Sequence, residues 1–134
     1  MTIPDSVRQR VAERDQYRCS YCQMPARYVY GTMEIDHIIP RSRGGTDDEG
    51  NLCLCCGRCN KFKGNQIDAV DPLTAEVVAL FNPRTQQWSE HFEWHGDDYS
   101  QIVGKTSCGR VSVEAIRLNF SESVEFRRLL KSVG

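Results

Sequence analysis

Apolar positions in this chain fall into short runs whose spacing changes near residue 70. Val7 and Val11 lie four apart behind Asp5, which can cap a helix over Asp5–Arg14. Tyr28 to His37 is rich in aromatic and β-branched residues, broken by Gly31-Thr32, and predicts a hairpin or two short strands. Pro40, Gly44-Gly45 and Gly50 mark a loop. Leu52–Cys55 predicts a short strand. From about Gly57 a helix carrying Asn60 and Lys63 follows, ending near Gly64-Asn65. Beyond residue 70, Asp71-Pro72 is a turn and Glu76–Phe81 a strand closed by Asn82-Pro83. Trp88, Glu90, Phe92 and Trp94 share one parity, which predicts a strand with a mixed face. Gly96-Asp97-Asp98 turns the chain before Ile102-Val103, and Ser112–Leu118 predicts a short helix. Ser121 reads as the N-cap of a last helix bearing Val124, Leu129 and Leu130. The pattern is α+β: residues 1–70 as a first region, and residues 71–134 as a small mixed α/β C-terminal extension expected to pack on it.

Composition narrows the class. Hydrophobic residues make up 40% and charged residues 26% of the 134, the balance of a soluble globular protein. Met1 to Asp15 has no apolar core of a signal peptide, and Val77–Phe81 is far too short to span a bilayer. Seven cysteines, an odd number, exclude a complete internal disulfide framework and fit a reducing, cytoplasmic setting with a metal site. A net charge of −1 and a pI near 6.3 are not the footprint of a nucleic-acid binder. Local fields outweigh the sum, however. Arg58, Lys61 and Lys63 cluster without an acid among them, and Arg41 and Arg43 follow an Asp-His pair. Arg127, Arg128 and Lys131 read as a solvated helix face.

Four of the cysteines form two C-x-x-C pairs, Cys19/Cys22 and Cys56/Cys59. Paired thiolates at this spacing fit a closed tetrahedral zinc site, which is structural because it leaves no open position for chemistry. The second pair is ambiguous, since Cys53 and Cys56 share the same spacing. Gly57-Arg58 is the better turn, and Leu54-Cys55 reads as buried strand. Cys53, Cys55 and Cys108 then read as buried thiols. A thiol redox role for either C-x-x-C lacks the βαβ context it requires.

Between the pairs lie Asp36 and His37. Adjacent strand residues point to opposite faces, so adjacency makes one site only where the strand ends or bends, as Pro40 suggests. A neutral imidazole can take a proton from water, and a carboxylate can hold a hard cation such as Mg²⁺. Asn60, at the mouth of the next helix, offers an amide oxygen as a second ligand. Read alone, His37 is equally a surface or core imidazole. His91 reads as a packing residue, and Trp88 and Trp94 as core of the extension.

Taken together, Cys19-x-x-Cys22, Glu34-Ile35-Asp36-His37-Ile38-Ile39-Pro40-Arg41-Ser42-x-Gly44-Gly45, Asn51-Leu52 and Cys56-x-x-Cys59-Asn60-x-x-Lys63-Gly64 resemble the zinc-bearing branch of the HNH endonuclease family. The match covers roughly residues 15 to 65. The resemblance implies a ββα-metal core, a two-stranded ribbon packed on a helix and stapled by zinc. It implies His37 as general base, Asp36 and Asn60 as ligands of a catalytic Mg²⁺ or Mn²⁺, and Asn51 as the residue bracing the loop and orienting His37. It implies cleavage of DNA, expected to be double-stranded, to 5′-phosphate and 3′-hydroxyl ends. Asn60 stands where the family often has His, which bears on the choice of metal. Arg41, Arg43, Arg58, Lys61 and Lys63 are candidates for phosphate contacts, or ordinary surface charge. The alternative is a zinc-stapled module that binds nucleic acid or protein without catalysis. The sequence leaves oligomeric state open; a single ββα site cuts one strand, so double-strand cleavage would favour a dimer.

Overall fold

The first region is built around a two-stranded ribbon whose faces carry different chemistry. In the computed structural model, which describes residues 2–133, β1 (Glu34–His37) pairs antiparallel with β2 (Leu52–Cys55), Asp36 opposite Cys53 and His37 opposite Leu52. With side chains alternating across the pleat, Glu34 and Asp36 share a face with Cys53 and Cys55, and Ile35 and His37 share the other with Leu52 and Leu54. α1 (Asp5–Arg14) contributes Val11 to an apolar cluster of Ile3, Val11, Leu52 and Leu54, against which Val7, Ala12, Met33 and Ile35 pack. α2 (Gly57–Lys63) lies against β1. The chain divides into two units. The first comprises Met1–Ile67 with Asn82–Thr85, and there Arg84 returns to pair with Asp15. Asp15 is already engaged by the backbone N–H of Leu54, 2.7 Å away.

The hairpin expected over Tyr28–His37 does not form. Ala26–Tyr28 is a 3-10 turn, and only Glu34–His37 is strand, its partner supplied by β2 across the Ile38–Asn51 connection. Asp5 opens α1 rather than capping it. The cap position is Pro4, whose carbonyl accepts from Val7 and Arg8 at 3.0 Å each, and the Asp5 charge sits in the first turn where the helix dipole favours an acid. The loop between the strands is tight. Gly44 takes φ +87°, and a Cβ on Gly45 would stand 1.7 Å from the Ile39 carbonyl oxygen, so a side chain there is sterically excluded.

The second unit, Asp68–Phe81 with Gln86–Gly134, holds the ribbon β3 (Asp68–Val70) with β4 (Val77–Ala79), the hairpin β5 (Phe92–His95) with β6 (Gln101–Gly104), and three helices: α3 (Trp88–His91), α4 (Ser107–Ala115) and α5 (Ser121–Ser132). The strand expected through Trp88 to Trp94 begins only at Phe92. Trp88 and Phe92 are spaced i, i+4, which suits a helical turn equally well, and their rings meet at 5.1 Å. Phe81 and Phe92 pack edge to face at 5.2 Å, and the Trp88 and Trp94 rings lie 5.5 Å apart, in the aromatic core of this unit. The helix expected over Ser112–Leu118 starts earlier, capped by Thr106, whose hydroxyl accepts from Gly109 N–H at 3.1 Å. Ser121 opens α5 one position after its cap, Phe120. On α5, Arg127 is buried and Leu129 faces solvent, the reverse of their expected placement. Arg127 is held because its guanidinium donates to the carbonyls of Ser100 (2.9 Å) and Leu118 (2.6 Å). Among the described residues, no helix is long and apolar enough to cross a membrane.

Candidate metal centre and active site

The four sulfurs of Cys19, Cys22, Cys56 and Cys59 lie within 4.8 Å of one another, and all four residues are buried. Sulfurs bound tetrahedrally at 2.3 Å to one zinc stand about 3.8 Å apart, and Cys22 and Cys56 are 3.9 Å apart. In each pair the backbone N–H of the second cysteine points at the sulfur of the first, Cys22 to Cys19 at 3.5 Å and Cys59 to Cys56 at 3.4 Å. Donor type, separation and burial therefore fit zinc, with Cys56 and Cys59 as the second pair. Burial pushes the Cys19 thiol well up, and hydrogen bonds shared with its neighbours do the same to Cys59. Cys56 goes the other way, because the surrounding thiols donate to its sulfur. A zinc ion bound here would displace thiol protons, so its loading would be favoured at higher pH. Cys53 and Cys55 lie in β2 outside this cluster; burial pushes Cys53 up to about 12, an inert thiol.

Asp36, 5% exposed, lies on the α2 face of the ribbon. The hydrogen bonds at its carboxylate converge on Oδ2, which accepts from the Tyr21 hydroxyl at 2.7 Å and faces the Lys63 ammonium at 3.1 Å. Burial raises the Tyr21 pKa, so the phenol stays neutral and donates. Lys63 is 1% exposed and donates also to the carbonyls of His37 (3.2 Å) and Ile38 (3.1 Å). Lys63 is thus not a surface phosphate contact as its neighbours in sequence suggested. Its ammonium is bound by three oxygens inside the fold. One turn earlier on α2, Asn60 donates from Nδ2 to Glu34 Oε1 at 2.6 Å, which leaves Oδ1 as its acceptor atom. An aspartate carboxylate and an amide oxygen are the hard donors that Mg²⁺ or Mn²⁺ takes.

His37 ends β1 on the opposite face from Asp36, as the pleat requires. Its Nε2 lies 2.8 Å from Asp47 Oδ1, and Arg41 Nε donates to the same oxygen at 2.9 Å. These two partners hold the Asp47 carboxyl below the usual carboxylate range. Asn51 ties down the loop that follows. Its Oδ1 accepts from Ile39 N–H at 2.8 Å, and its Nδ2 donates to the carbonyls of Ile39 (3.0 Å) and Thr46 (2.8 Å). Arg41, Arg43, Arg58 and Lys61 are exposed. Arg43 reaches the Asn65 carbonyl at 3.2 Å. The structure therefore gathers Asp36, Asn60 and Lys63 on one face of the ribbon, and His37 with Asn51 at its end.

Four participants escaped the sequence reading: Tyr21, Glu34, Asp47 and the inward role of Lys63. Glu34 could have been found, because it stands two positions before Asp36 and so shares its face. Tyr21 sits inside the first C-x-x-C, in the turn between Cys19 and Cys22, and no sequence pattern shows that it reaches Asp36. Nothing local marks Asp47, which meets His37 only through the folded loop.

Residues 19–66 match the family model described as HNH endonuclease. Two curated relatives are both named CRISPR-associated endonuclease Cas9. The one from Corynebacterium diphtheriae is 39% identical over 104 residues, covering 74% of this chain and 9% of that protein. The one from Actinomyces naeslundii is 37% identical over 67 residues, 49% of this chain and 6% of that protein. The chain thus spans less than a tenth of the length of these relatives. No solved structure matches significantly.

Proposed function

Because residues 19–66 belong to the HNH endonuclease family, we propose that this chain is a metal-dependent endonuclease that hydrolyses phosphodiester bonds of double-stranded DNA in the cytoplasm. The observation that carries this reading is the placement of Asp36 and His37 at the end of a ribbon whose partner strand leads into Asn60, all on a four-thiol frame that fits zinc. In this reading Asp36 and Asn60 hold a Mg²⁺ or Mn²⁺ ion, which supplies Lewis-acid stabilisation of charge on the phosphate and the leaving 3′ oxygen. His37 takes the proton from the attacking water. Asn51 keeps the Ile39 backbone fixed, and with it the strand end from which His37 projects. Arg41, Arg43, Arg58 and Lys61 position the duplex by its phosphates without reading sequence.

A second reading, a zinc-stapled binding module without catalysis, is favoured by one observation: the Asp36 charge is already met by Lys63 and Tyr21. Nicking of supercoiled plasmid in Mg²⁺, Mn²⁺ or EDTA, by wild type and His37→Ala at matched zinc content, separates the two. The nuclease nicks only with the divalent ion and loses about 10²- to 10⁴-fold in rate in His37→Ala. A folded, zinc-loaded wild type that nicks in no metal leaves the binding module.

A further inference from the structure

Lys63 is where the structure departs furthest from the sequence reading, and its environment bears on how the active site acquires its ion. Its ammonium is enclosed by three oxygens, one from Asp36 and one each from the carbonyls of His37 and Ile38, all at 3.1 to 3.2 Å. It is 1% exposed, so it is anchored, not poised at the surface. The two proposed ion ligands are a carboxylate and a neutral amide. With Lys63 counted, their net charge is zero. A further acid, Glu34, bonds the Asn60 amide but is itself solvent-exposed and screened. A divalent ion approaching Asp36 therefore meets a carboxylate whose charge is already balanced, beside a fixed positive charge. Mg²⁺ sites of few protein ligands are commonly completed by substrate phosphate. A DNA phosphate would restore the negative charge that Lys63 cancels.

We propose that Lys63 is a positioning residue that makes ion binding depend on substrate. It locks Asp36 through Oδ2 and pins the backbone of His37, and it keeps the ion site too weak to fill until a DNA phosphate arrives. This rests on the nuclease reading for Asp36 as a ligand, and the test keeps the two apart. Mn²⁺ binding is followed by electron paramagnetic resonance on zinc-loaded protein in a His37→Ala background, which preserves the DNA, with and without a random-sequence duplex. Duplex should tighten Mn²⁺ binding at least about tenfold over the free protein. Adding Lys63→Met should tighten Mn²⁺ binding to the free protein by about tenfold, while Lys63→Met alone, with His37 intact, nicks more slowly than wild type. A lysine that served only packing would, on removal, leave Mn²⁺ affinity unchanged or weaken it, and that result overturns the proposal. If Lys63→Met does not fold, the duplex effect decides alone: equal Mn²⁺ affinity with and without DNA overturns it. Asp36→Asn marks the other failure. If it leaves Mn²⁺ binding to the protein–duplex complex intact, Asp36 is not a ligand and the nuclease reading of the site falls. If it abolishes binding while Lys63→Met changes nothing, only the proposal about Lys63 falls.

Discussion

Asp71 and Asp36 are both buried beside a cation, and they are finished differently. In the second unit, Asp71 is satisfied on both oxygens. Oδ1 accepts from Arg110 Nε and Leu73 N–H at 3.0 Å each; Oδ2 accepts from an Arg110 terminal nitrogen at 2.8 Å and from the Thr74 hydroxyl at 3.1 Å. The fork of Arg110 matches the carboxylate geometry, and the turn after β3 is closed around it. In the first unit, the partners of Asp36 crowd onto Oδ2. A carboxylate saturated on both oxygens is committed to the fold, whereas one tethered by a single oxygen is held in place with a lone-pair side to offer. Burial and charge pairing alone do not distinguish the two; the distribution of donors does.

The units also differ in what holds them. The first has a small apolar cluster and four clustered thiols that could hold zinc, and the second an aromatic core without such a cluster among the described residues. Structural zinc contributes about 10–16 kcal/mol in small zinc domains, as much as a typical domain's whole net stability of roughly 5–15 kcal/mol. Chelation should therefore abolish amide protection in β1, β2 and α2. Both tryptophans, Trp88 and Trp94, lie in the second unit, so their fluorescence should stay native through the same titration. A simultaneous loss of both signals would break the comparison, because it would make zinc the staple of the whole chain.

Next in size is Lys63→Met. Removing one partner of a buried pair leaves Asp36 uncompensated, at a cost of about 3–5 kcal/mol. Denaturant unfolding followed by exchange in α2 should show this loss, again with the tryptophan signal unmoved. A loss below about 1 kcal/mol, the scale of an exposed pair, would mean that Lys63 reaches water in solution.

How much of this was legible beforehand follows from the range of each interaction. The two C-x-x-C pairs, α1, β2 and α2 were readable because period, turn residues and ligand spacing are local. The partner of β1 was not legible from local pattern, since the loop that Pro40 and the glycines mark does not say which strands it joins, and the aromatic run Tyr28–Met33 mimicked a hairpin arm. Trp88 misled because its four-residue spacing to Phe92 serves helix and strand parity alike. Asp36, His37, Asn51 and Asn60 stood out as a set in sequence, but their surroundings did not. A lysine one helical turn after Asn60 looks identical whether it projects to solvent or inward. Only the fold shows that Lys63 and Tyr21 meet Asp36, and that Asp47 meets His37.

A smaller effect concerns acid. Arg110, followed by the Leu73 N–H and Thr74, holds the Asp71 carboxyl well below the usual carboxylate range. A group whose folded pKa is depressed stabilises above its unfolded value, near 3.9, and loses that contribution as pH falls through the folded value. The second unit should therefore keep native tryptophan fluorescence to below about pH 4. Arg110→Met removes the main cause, so Asp71 protonates at higher pH and the acid midpoint moves up. A midpoint that stays in place would transfer acid sensitivity to another carboxylate and remove Asp71 from the comparison.

The smallest expected effect is a control that sharpens the rest. Arg10 and Glu49 make the shortest ion pair described in the first unit after Arg84–Asp15, at 2.5 Å, and its hydrogen bonds raise the Arg10 pKa and lower that of Glu49. Both side chains are open to solvent, at 56% and 39% exposure. Water screens such a pair and two long side chains must be ordered to make it. Arg10→Ala should leave the thermal midpoint of the zinc-loaded protein unchanged within error. If it lowers that midpoint as far as Lys63→Met does, short distance rather than burial governs these pairs, and the larger cost assigned to the buried Lys63–Asp36 pair loses its basis.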